Sequence, residues 1–423
     1  MKFYLTVLSV ILFILPQARL DSQSQPCIVI EAPLMFDGNE MLENKAIVVT
    51  GRRIEEVVDR SELANSPCKK LQFEEGTILP GLIEGHSHML LHPYNETSWN
   101  DQVLKESHAE RAIRGAIHAE KTLLAGFTTS RDLGSEGAGY VDVGLKQAIQ
   151  KGVTIGPRLL VAGKAIVSTG SYGPKGFASH VNVPLGAEVA DGVDDLTRVV
   201  RDQIGKGADL IKVYADYRWG PGLTAMPTFT VEELKLIVDL TQSSGREVVA
   251  HAASEEGMMR AAKAGVRTIE HGDHGTREVF QLMKKNSVAL CPTLAAPDAI
   301  LQYRGWKKGV ESEPQRILDK RRSFQEALEV GVIIVAGGDV GVFDHGDNVR
   351  ELELMVEYGM PNLEVLRSAT SVNATVFDLA DEIGYLKKGL LADIIVVDGN
   401  PLNDISALRK MLLVMKDGKI VSQ

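Results

Sequence analysis

Two histidines separated by one residue, His86 and His88, end an apolar run that begins at Ile78. In a β-strand, residues i and i+2 point to the same face, so these two imidazoles are expected to lie side by side. Two neutral imidazoles in this arrangement can bind one divalent metal ion from a single rigid element. The alternative is a pair of unrelated loop histidines. The rest of the chain favours the first interpretation.

Further residues with metal-binding or acid–base chemistry lie at or near the ends of other apolar runs. His251 ends the run 248–250, His271 follows Ile269-Glu270, and Asp339 follows a pair of glycines after the run 333–336. Lys212 lies inside the apolar run 210–214. Each residue alone has a structural explanation: a hydrogen-bonded histidine, a helix-capping aspartate, or a snorkelling or ion-paired lysine.

The elements that must position these residues alternate between strands and helices. Strand patterns occur at 78–88, 127–132, 158–163, 210–214, 248–251, 268–271, 288–293 and 333–339. Helical patterns lie between them, at 106–124, 194–206, 230–243, 255–264, 276–285 and 314–330. This succession predicts an α/β protein with a parallel (β/α)8 TIM-like barrel. A doubly wound open sheet is the alternative, but the sequence lacks the glycine-rich phosphate fingerprint expected after its first strand.

Functional residues of such barrels lie at the C-terminal ends of the strands. The four histidines, Asp339 and Lys212 therefore converge on one mouth of the predicted barrel. Six separate structural explanations are less economical than one metal centre. The convergence favours a metal-binding site.

Short β patterns flank this barrel at both ends of the chain. They occupy 28–30, 46–49 and 54–58 near the N-terminus, and 392–398, 412–415 and 417–421 near the C-terminus. We predict a small accessory β-sandwich domain built from residues 26–76 plus 384–423, around a catalytic barrel at 77–383.

The N-terminus resembles a secretory signal peptide. Lys2 supplies a positive charge, residues 3–15 form a short apolar core, and a polar stretch follows. We predict a signal peptide over about residues 1–18 and a secreted or periplasmic protein. An uncleaved anchor is the alternative, but the apolar run is short for a membrane span, so no stable membrane insertion is expected after cleavage.

Composition and cysteine content restrict the function further. The chain has 423 residues, 44% of them hydrophobic, and a net charge of −10. That charge argues against nucleic acid or an anionic membrane as the partner. Cys27 and Cys68 could form a disulfide in an exported protein, although three buried thiols, with Cys291, are the alternative.

Several segments together resemble one known family, the amidohydrolase superfamily in its binuclear-metal branch. They are Gly85-His86-Ser87-His88, Ile211-Lys212-Val213-Tyr214, His251, Glu270-His271-Gly272 and Gly338-Asp339. The resemblance covers nearly all of the mature chain and is closest to the prolidase-like, Xaa-carboxypeptidase-like and ochratoxin-amidase-like group. It implies two divalent metal ions, one held by His86, His88 and Asp339 and the other by His251 and His271. It also implies that CO₂ carboxylates Lys212 at its N6 atom and that the product bridges both ions.

The residue types fit the implied chemistry. Burial lowers the pKa of a lysine toward the neutral amine that carboxylation requires. Two adjacent metal ions lower the pKa of a shared water and yield a bridging hydroxide near neutral pH. Asp339 is expected to take the proton and pass it to the leaving amine. Tyr214, two residues after Lys212, is predicted to hydrogen-bond the oxyanion, with a packing tyrosine as the alternative.

The resemblance implies a metal-dependent hydrolase of amide bonds, with dipeptides, N-acyl amino acids or ochratoxin-type aryl amides as small-molecule substrates. Zinc is the default metal for mixed histidine and carboxylate ligands, with manganese, cobalt or iron as alternatives. An imidazolonepropionase-like cyclic-amide hydrolase is a rival, but that subgroup uses one metal and no bridging lysine. A lactonase-like or phosphotriesterase-like activity stays open. A non-enzymatic scaffold should have lost at least one ligand, and all six are present.

Candidates for substrate binding are less specific. The glycine-rich segment 168–180 is predicted to line the pocket and contains Lys175 and His180, while Arg218 follows the lysine-bearing strand. These three cations are candidates for binding a substrate carboxylate, and His274 is a candidate for reaching the substrate. A solvated surface position is the alternative for each. The oligomeric state is open, although members of the family often form homo-oligomers.

Overall fold

The structure is a computed structural model that describes residues 27–423. The predicted signal peptide at 1–18 lies outside the described residues. Within the range 27–423, no helix combines the length and apolar character that a membrane span requires.

Short strands dominate both ends of the described chain, and strands alternate with helices between them. The strands are β1 (Cys27–Glu31), β2 (Leu34–Phe36), β3 (Met41–Glu43), β4 (Lys45–Thr50), β5 (Arg53–Asp59), β6 (Lys69–Gln72), β7 (Thr77–Pro80), β8 (Leu82–Ser87), β9 (Phe127–Asp132), β10 (Arg158–Val161), β11 (Ile166–Val167), β12 (Glu188–Val189), β13 (Ile211–Tyr214), β14 (Asp216–Arg218), β15 (Ala225–Pro227), β16 (Val248–Ala252), β17 (Thr268–His271), β18 (Ala289–Cys291), β19 (Ile394–Val397), β20 (Met411–Lys416) and β21 (Lys419–Ser422). The α-helices are α1 (Trp99–Lys105), α2 (His108–Leu124), α3 (Val141–Gln150), α4 (Gly192–Gly205), α5 (Val231–Gln242), α6 (Glu255–Ala264), α7 (Arg277–Lys285), α8 (Ala295–Tyr303), α9 (Gln315–Val330), α10 (Val349–Glu357), α11 (Asn362–Arg367) and α12 (Asn373–Val376).

The accessory domain is a sandwich of two sheets with strand orders β5-β4-β1-β6 and β21-β20-β19-β7-β2-β3. Both sheets contribute to one buried core, with Ile30 and Ile47 from the first and Ile394 and Leu413 from the second. Cys27 and Cys68 form a disulfide that joins the start of β1 to the segment before β6. Segments from both ends of the described chain therefore build one small domain.

The predicted first barrel strand, residues 78–88, is in fact two strands. β7 pairs antiparallel with β19 and parallel with β2, so it belongs to the accessory sheet. The barrel begins only with β8, which pairs with β9. Gly81 separates the two, and a Cβ atom there would overlap the side chain of Thr128. The barrel therefore begins at Leu82 and not at residue 77, as predicted. The prediction was wrong because the apolar run continues without a break from one sheet into the other.

The central strands form the predicted parallel barrel. The ladders run β8-β9-β10 and β11-β13-β16-β17-β18, and β10 is connected to β13 by the Asp209 amide, which donates to the Val161 carbonyl at 2.8 Å. Residues 334–340 form the eighth strand position through parallel bridges of Ile334 with Leu290 and of Val340 with Ser87. The sheet thereby closes on β8, and the predicted TIM-like fold class is confirmed.

Helices α2, α4, α5, α6, α7 and α9 lie where helical patterns were predicted. The sequence interpretation missed α8, whose first turns are buried on all sides and therefore lack an amphipathic period. It also missed α1, α3 and the segment α10–α12. All of these cover the barrel or its mouth.

Candidate metal centre and active site

Three predicted ligands from the first and eighth strand positions meet at one point. Oδ1 of Asp339 lies 3.5 Å from Nε2 of His86 and 3.3 Å from Nε2 of His88. One ligand atom from each of the three buried residues lies within 4.8 Å of the other two. Asp339 Oδ1 is buried and has no hydrogen-bond partner in the described part of the chain. Both imidazoles thus present the same nitrogen to one carboxylate oxygen.

The other ring nitrogens of these histidines are fixed by hydrogen bonds. His86 Nδ1 lies 2.8 Å from Glu270 Oε2, and His88 Nδ1 lies 2.9 Å from the Gly134 carbonyl oxygen. When Nδ1–H donates to these acceptors, each Nε2 keeps its lone pair, which is the form that binds metal. Burial lowers the pKa of His88, but the nearby negative charge of Asp339 outweighs it and raises that pKa to about 9.

The backbone of Asp339 is held in an unusual conformation. Its φ angle is +65°, a left-handed value that an aspartate adopts at some energetic cost. Its amide donates to the His86 carbonyl at 2.8 Å. A Cβ at the preceding Gly337 would lie 2.6 Å from the His86 backbone nitrogen, so only glycine lets the eighth strand approach β8 this closely. Gly337 therefore allows the close approach of the two strands that brings Asp339 next to His86.

His251 and His271 lie beside the first three ligands. Their ring centroids are 4.4 Å apart, and that of His271 is 5.1 Å from that of His86. His271 Nδ1 lies 2.8 Å from Thr293 Oγ1, which leaves Nε2 available. His251 Nε2 faces Asp216 Oδ1 at 3.7 Å, which leaves Nδ1 available. The four predicted histidines thus form one cluster.

Lys212 is almost fully buried next to this cluster, at 1% exposure. Burial lowers the pKa of its amine, against the attraction of Glu270 and Asp339. Lys212 forms no salt bridge with any carboxylate in the range 27–423. Burial without a salt-bridge partner thus shifts the amine toward the neutral form that the predicted carboxylation needs.

Tyr214 also lies at the cluster. Its ring stacks on that of His251 with a centroid distance of 4.5 Å, and its hydroxyl lies 3.3 Å from that of Tyr172. The Tyr214 hydroxyl donates to Glu136 Oε1 over 3.4 Å, a long hydrogen bond. Burial raises the pKa of Tyr214 well above its usual range, so the hydroxyl keeps its proton and can donate.

The sequence interpretation missed three supporting carboxylates, Glu84, Glu136 and Glu270. Glu84 accepts from the amides of His86 at 3.0 Å and Gly338 at 2.9 Å, and thereby ties the first strand to the eighth. Burial raises the pKa of Glu84 to about 7. Glu84 and Glu270 lie inside predicted strands, close in sequence to predicted metal ligands, and this position could have identified them. Glu136 lies in a loop after β9, where only its position after a strand end marked it.

The cluster opens into a cavity of about 1060 Å³. Two of the predicted substrate-binding residues, Arg218 and His274, line it, and two do not. Lys175 and His180 are exposed outside it, because the loop 168–180 turns inward at Tyr172 and outward afterwards. Aromatic and aliphatic side chains line much of the wall: Tyr94, Trp99, Tyr172, Tyr214, Tyr217, Ala296, Pro297, Ile300, Tyr303 and Val342.

The ligand set fits a divalent ion. A buried carboxylate oxygen without a hydrogen-bond partner in the described residues faces the Nε2 atoms of two imidazoles whose Nδ1 atoms have other partners. Mixed nitrogen and oxygen donors of this kind suit zinc and related ions.

Comparisons with known proteins agree with this geometry. The model of the Amidohydrolase family matches residues 77–421. Ochratoxinase from Aspergillus niger is 31% identical over 432 residues, which cover 93% of this chain and 86% of that protein. A solved Xaa-Pro dipeptidase with methionine bound in its active site is similar with a TM-score of 0.82 and 31% identity, over 94% of this chain and 100% of the other. The crystal structure of the A. niger ochratoxinase gives a TM-score of 0.78 at 28% identity, over 93% and 95% of the two chains.

Proposed function

Because the chain belongs to the amidohydrolase family and is a hydrolytic enzyme that acts on amide bonds, we propose that it cleaves dipeptides, N-acyl amino acids or related amides at a divalent metal centre. One observation carries the metal centre: the unpartnered Asp339 Oδ1 faces Nε2 of both His86 and His88 at the base of the cavity. The similarity to a Xaa-Pro dipeptidase and to ochratoxinase supports the substrate class.

In this proposal His86, His88 and Asp339 would hold one ion, and His251 and His271 would hold a second. Lys212, carboxylated at N6, would supply a negatively charged ligand to both, and zinc is the proposed metal. When bound, such ions lower the pKa of coordinated water and polarise the substrate carbonyl.

Asp339 is the proposed proton carrier. Its carboxylate lies at the cavity base, where it can accept a proton from the attacking water and deliver it to the leaving amine. The left-handed backbone at φ +65° and the hydrogen bond from the Asp339 amide to the His86 carbonyl keep it in place for both transfers.

Tyr214 is proposed to stabilise the oxyanion. Its two hydroxyl contacts, at 3.3 Å to Tyr172 and 3.4 Å to Glu136, are long and therefore weak. The hydroxyl can exchange them for a stronger hydrogen bond to the negative oxygen that develops in the reaction.

Arg218 is proposed to bind the carboxylate of the substrate. Its guanidinium lies 5.4 Å from the centroid of the Tyr217 ring and pairs with no carboxylate in residues 27–423. Arginine binds carboxylates in a bidentate manner, which suits this role. His274 is proposed to contact the same end of the substrate. Lys175 and His180 are left out because neither lines the cavity.

Export from the cytosol is also proposed. The disulfide between Cys27 and Cys68 supports it, because disulfides persist mainly in oxidising compartments. Detection of the mature chain outside the cell, beginning after about residue 18, would test it.

The substrate class is tested with a panel of dipeptides, N-acyl amino acids, an ochratoxin-type amide, a lactone and a phosphotriester, presented to zinc-loaded protein. We expect release of amine only from compounds with a free C-terminal carboxylate, and an increased KM for those compounds in Arg218→Ala. Turnover confined to the lactone or the phosphotriester would contradict the amide assignment.

A further inference from the structure

One carboxylate in the cavity wall has no part in the reaction described above. Glu136 is 3% exposed, and its Oε2 accepts hydrogen bonds from Trp99 Nε1 at 2.8 Å and from the Tyr172 hydroxyl at 2.7 Å. Its Oε1 has only the long contact of 3.4 Å with the Tyr214 hydroxyl. All three donors are neutral. Within residues 27–423, no lysine or arginine forms a salt bridge with Glu136.

The backbone aims this side chain into the cavity. Glu136 has a φ angle of +46°, which places it in the left-handed region that disfavours glutamate. The buried guanidinium of Arg111 donates to the carbonyls of Glu136 at 2.6 Å, Ser135 at 3.0 Å and Leu90 at 3.1 Å. Arg111 thereby ties the loop after β9 to the loop after β8. These hydrogen bonds stabilise the strained backbone conformation of Glu136, and this conformation directs the carboxylate into the cavity.

The same carboxylate lies close to the proposed metal centre. A Cβ atom built on Gly134 would lie 3.3 Å from Glu136 Oε1 and 3.7 Å from His88 Cε1. On its other side, Oε1 faces Tyr214, whose ring stacks on His251. The Oε1 atom of Glu136 therefore lies near His88 and contacts the proposed oxyanion donor, whose ring stacks on His251.

We propose that Glu136 binds the free α-amino group of a dipeptide substrate and makes the enzyme selective for dipeptides over N-acyl amino acids that lack this group. The inference rests on the proposed function, since it assumes that the scissile carbonyl lies at the metal centre. The α-amino nitrogen of a dipeptide is about 2.5 Å from that carbonyl carbon, so it must lie near the centre as well.

The chemistry of the subsite suits an ammonium group. A buried carboxylate without a cationic partner gains most from a charged donor, and Oε1 has an acceptor position to spare. An ammonium on Oε1 would also release the Tyr214 hydroxyl to donate to the oxyanion.

The test compares two substrates, alanyl-phenylalanine and propionyl-phenylalanine, which differ only in the α-amino group. We expect the wild-type kcat/KM to be about 10- to 100-fold higher for alanyl-phenylalanine, the range for one hydrogen bond to a charged group. In Glu136→Gln, which keeps the size of the side chain, this ratio should fall toward one. Asp195→Asn on the outer helix α4 is the control for loss of one negative charge, and it should keep the wild-type ratio.

Two results would overturn the proposed role of Glu136. The first is a wild-type kcat/KM for alanyl-phenylalanine that is no higher than that for propionyl-phenylalanine. The second is a high wild-type ratio of these two values that Glu136→Gln leaves unchanged. If Glu136→Gln fails to fold, Glu136→Asp replaces it and should give a ratio between wild type and one, whereas a full wild-type ratio is the contrary result. If neither compound is hydrolysed, the result bears on the proposed substrate class and not on Glu136, and calorimetric Kd values of both compounds for zinc-loaded protein give the same comparison. Equal Kd values would then refute a role for Glu136.

Discussion

His86 and Glu270 lie on strands from opposite parts of the barrel, yet His86 Nδ1 and Glu270 Oε2 are 2.8 Å apart in the buried interior. Glu270 also pairs with Arg131 Nη2 at 3.2 Å and accepts from Thr268 Oγ1. This network fixes the orientation of the imidazole. A carboxylate behind a metal-binding histidine sets both the tautomer and the basicity of the ligand.

Glu270→Gln should therefore weaken metal binding. We expect the affinity for zinc to fall by about 10- to 100-fold, as is typical when a residue that hydrogen-bonds a metal ligand is lost. Competition with a chromogenic chelator measures this without any assay of activity. The control is Cys291→Ala, because Cys291 lies in the same buried group but contacts the Gly337 carbonyl. Equal zinc affinities in Glu270→Gln and wild type would show that Glu270 does not contribute to metal binding by His86.

Lys212→Ala should remove the bridge between the two proposed ions. The buried amine has no acidic partner, so its loss should leave the fold intact while metal content and most of the activity are lost. Short-chain carboxylic acids should restore part of the activity, because they can replace the bridging carboxylate. Elemental analysis of the purified variant reports the metal content. Full activity and full metal content in Lys212→Ala would show that carboxylation of Lys212 plays no part.

Tyr214→Phe should lower kcat by about 10- to 1000-fold, the effect of losing one oxyanion donor. Metal content should stay unchanged, because the Tyr214 hydroxyl contacts other oxygen atoms and not the ligands. Tyr140→Phe is the matched control, since the Tyr140 hydroxyl is buried without a hydrogen-bond partner in the described residues. A kcat for Tyr214→Phe equal to that of the control would make Tyr214 a packing residue.

The stability of the protein should depend on the ionisation of Glu351. Burial raises the pKa of Glu351 to about 8, although it accepts from the amides of Leu294 at 2.9 Å and Ala295 at 2.7 Å. A carboxyl group with a raised pKa in the folded state favours folding below its unfolded value of 4.5, and this contribution is lost as the pH rises through about 8. The Tm advantage of wild type over Glu351→Gln should therefore shrink between pH 5 and pH 9.

Differential scanning fluorimetry measures this trend. Glu353→Gln, on the same helix α10, is the control for removing a carboxyl group, because Glu353 pairs with Arg409 at the surface. A Tm difference between wild type and Glu351→Gln that grows with pH would contradict the assigned direction of the pKa shift.

The sequence predicted the residues at strand ends because parallel strands produce a simple signal. His251, His271 and Asp339 each lie at the C-terminal end of a predicted strand, and all of these strands end at the same mouth of the barrel. The sheet change at Gly81 gave no such signal, because the residues on both sides of it are buried and apolar. Strands that are buried on both faces lack the alternation of apolar and polar residues, so the sequence pattern does not show where one strand ends and the next begins.

Loop residues could not be placed in the same way. Glu136 enters the cavity through a left-handed backbone angle and through hydrogen bonds from Arg111, which is 25 residues away in sequence. Lys175 and His180 lie in a loop whose inner and outer sides depend on where Tyr172 packs. Such positions follow from tertiary contacts, so residue type and spacing do not predict them.

The most direct test of the central claim is the rate of amine release from alanyl-phenylalanine before chelation, after complete removal of metal, and after addition of zinc. We predict that chelation abolishes the reaction and that zinc restores it, and that partly reactivated protein contains fewer bound ions per chain than fully reactivated protein. Hydrolysis that continues at the full rate in metal-free protein would contradict the account.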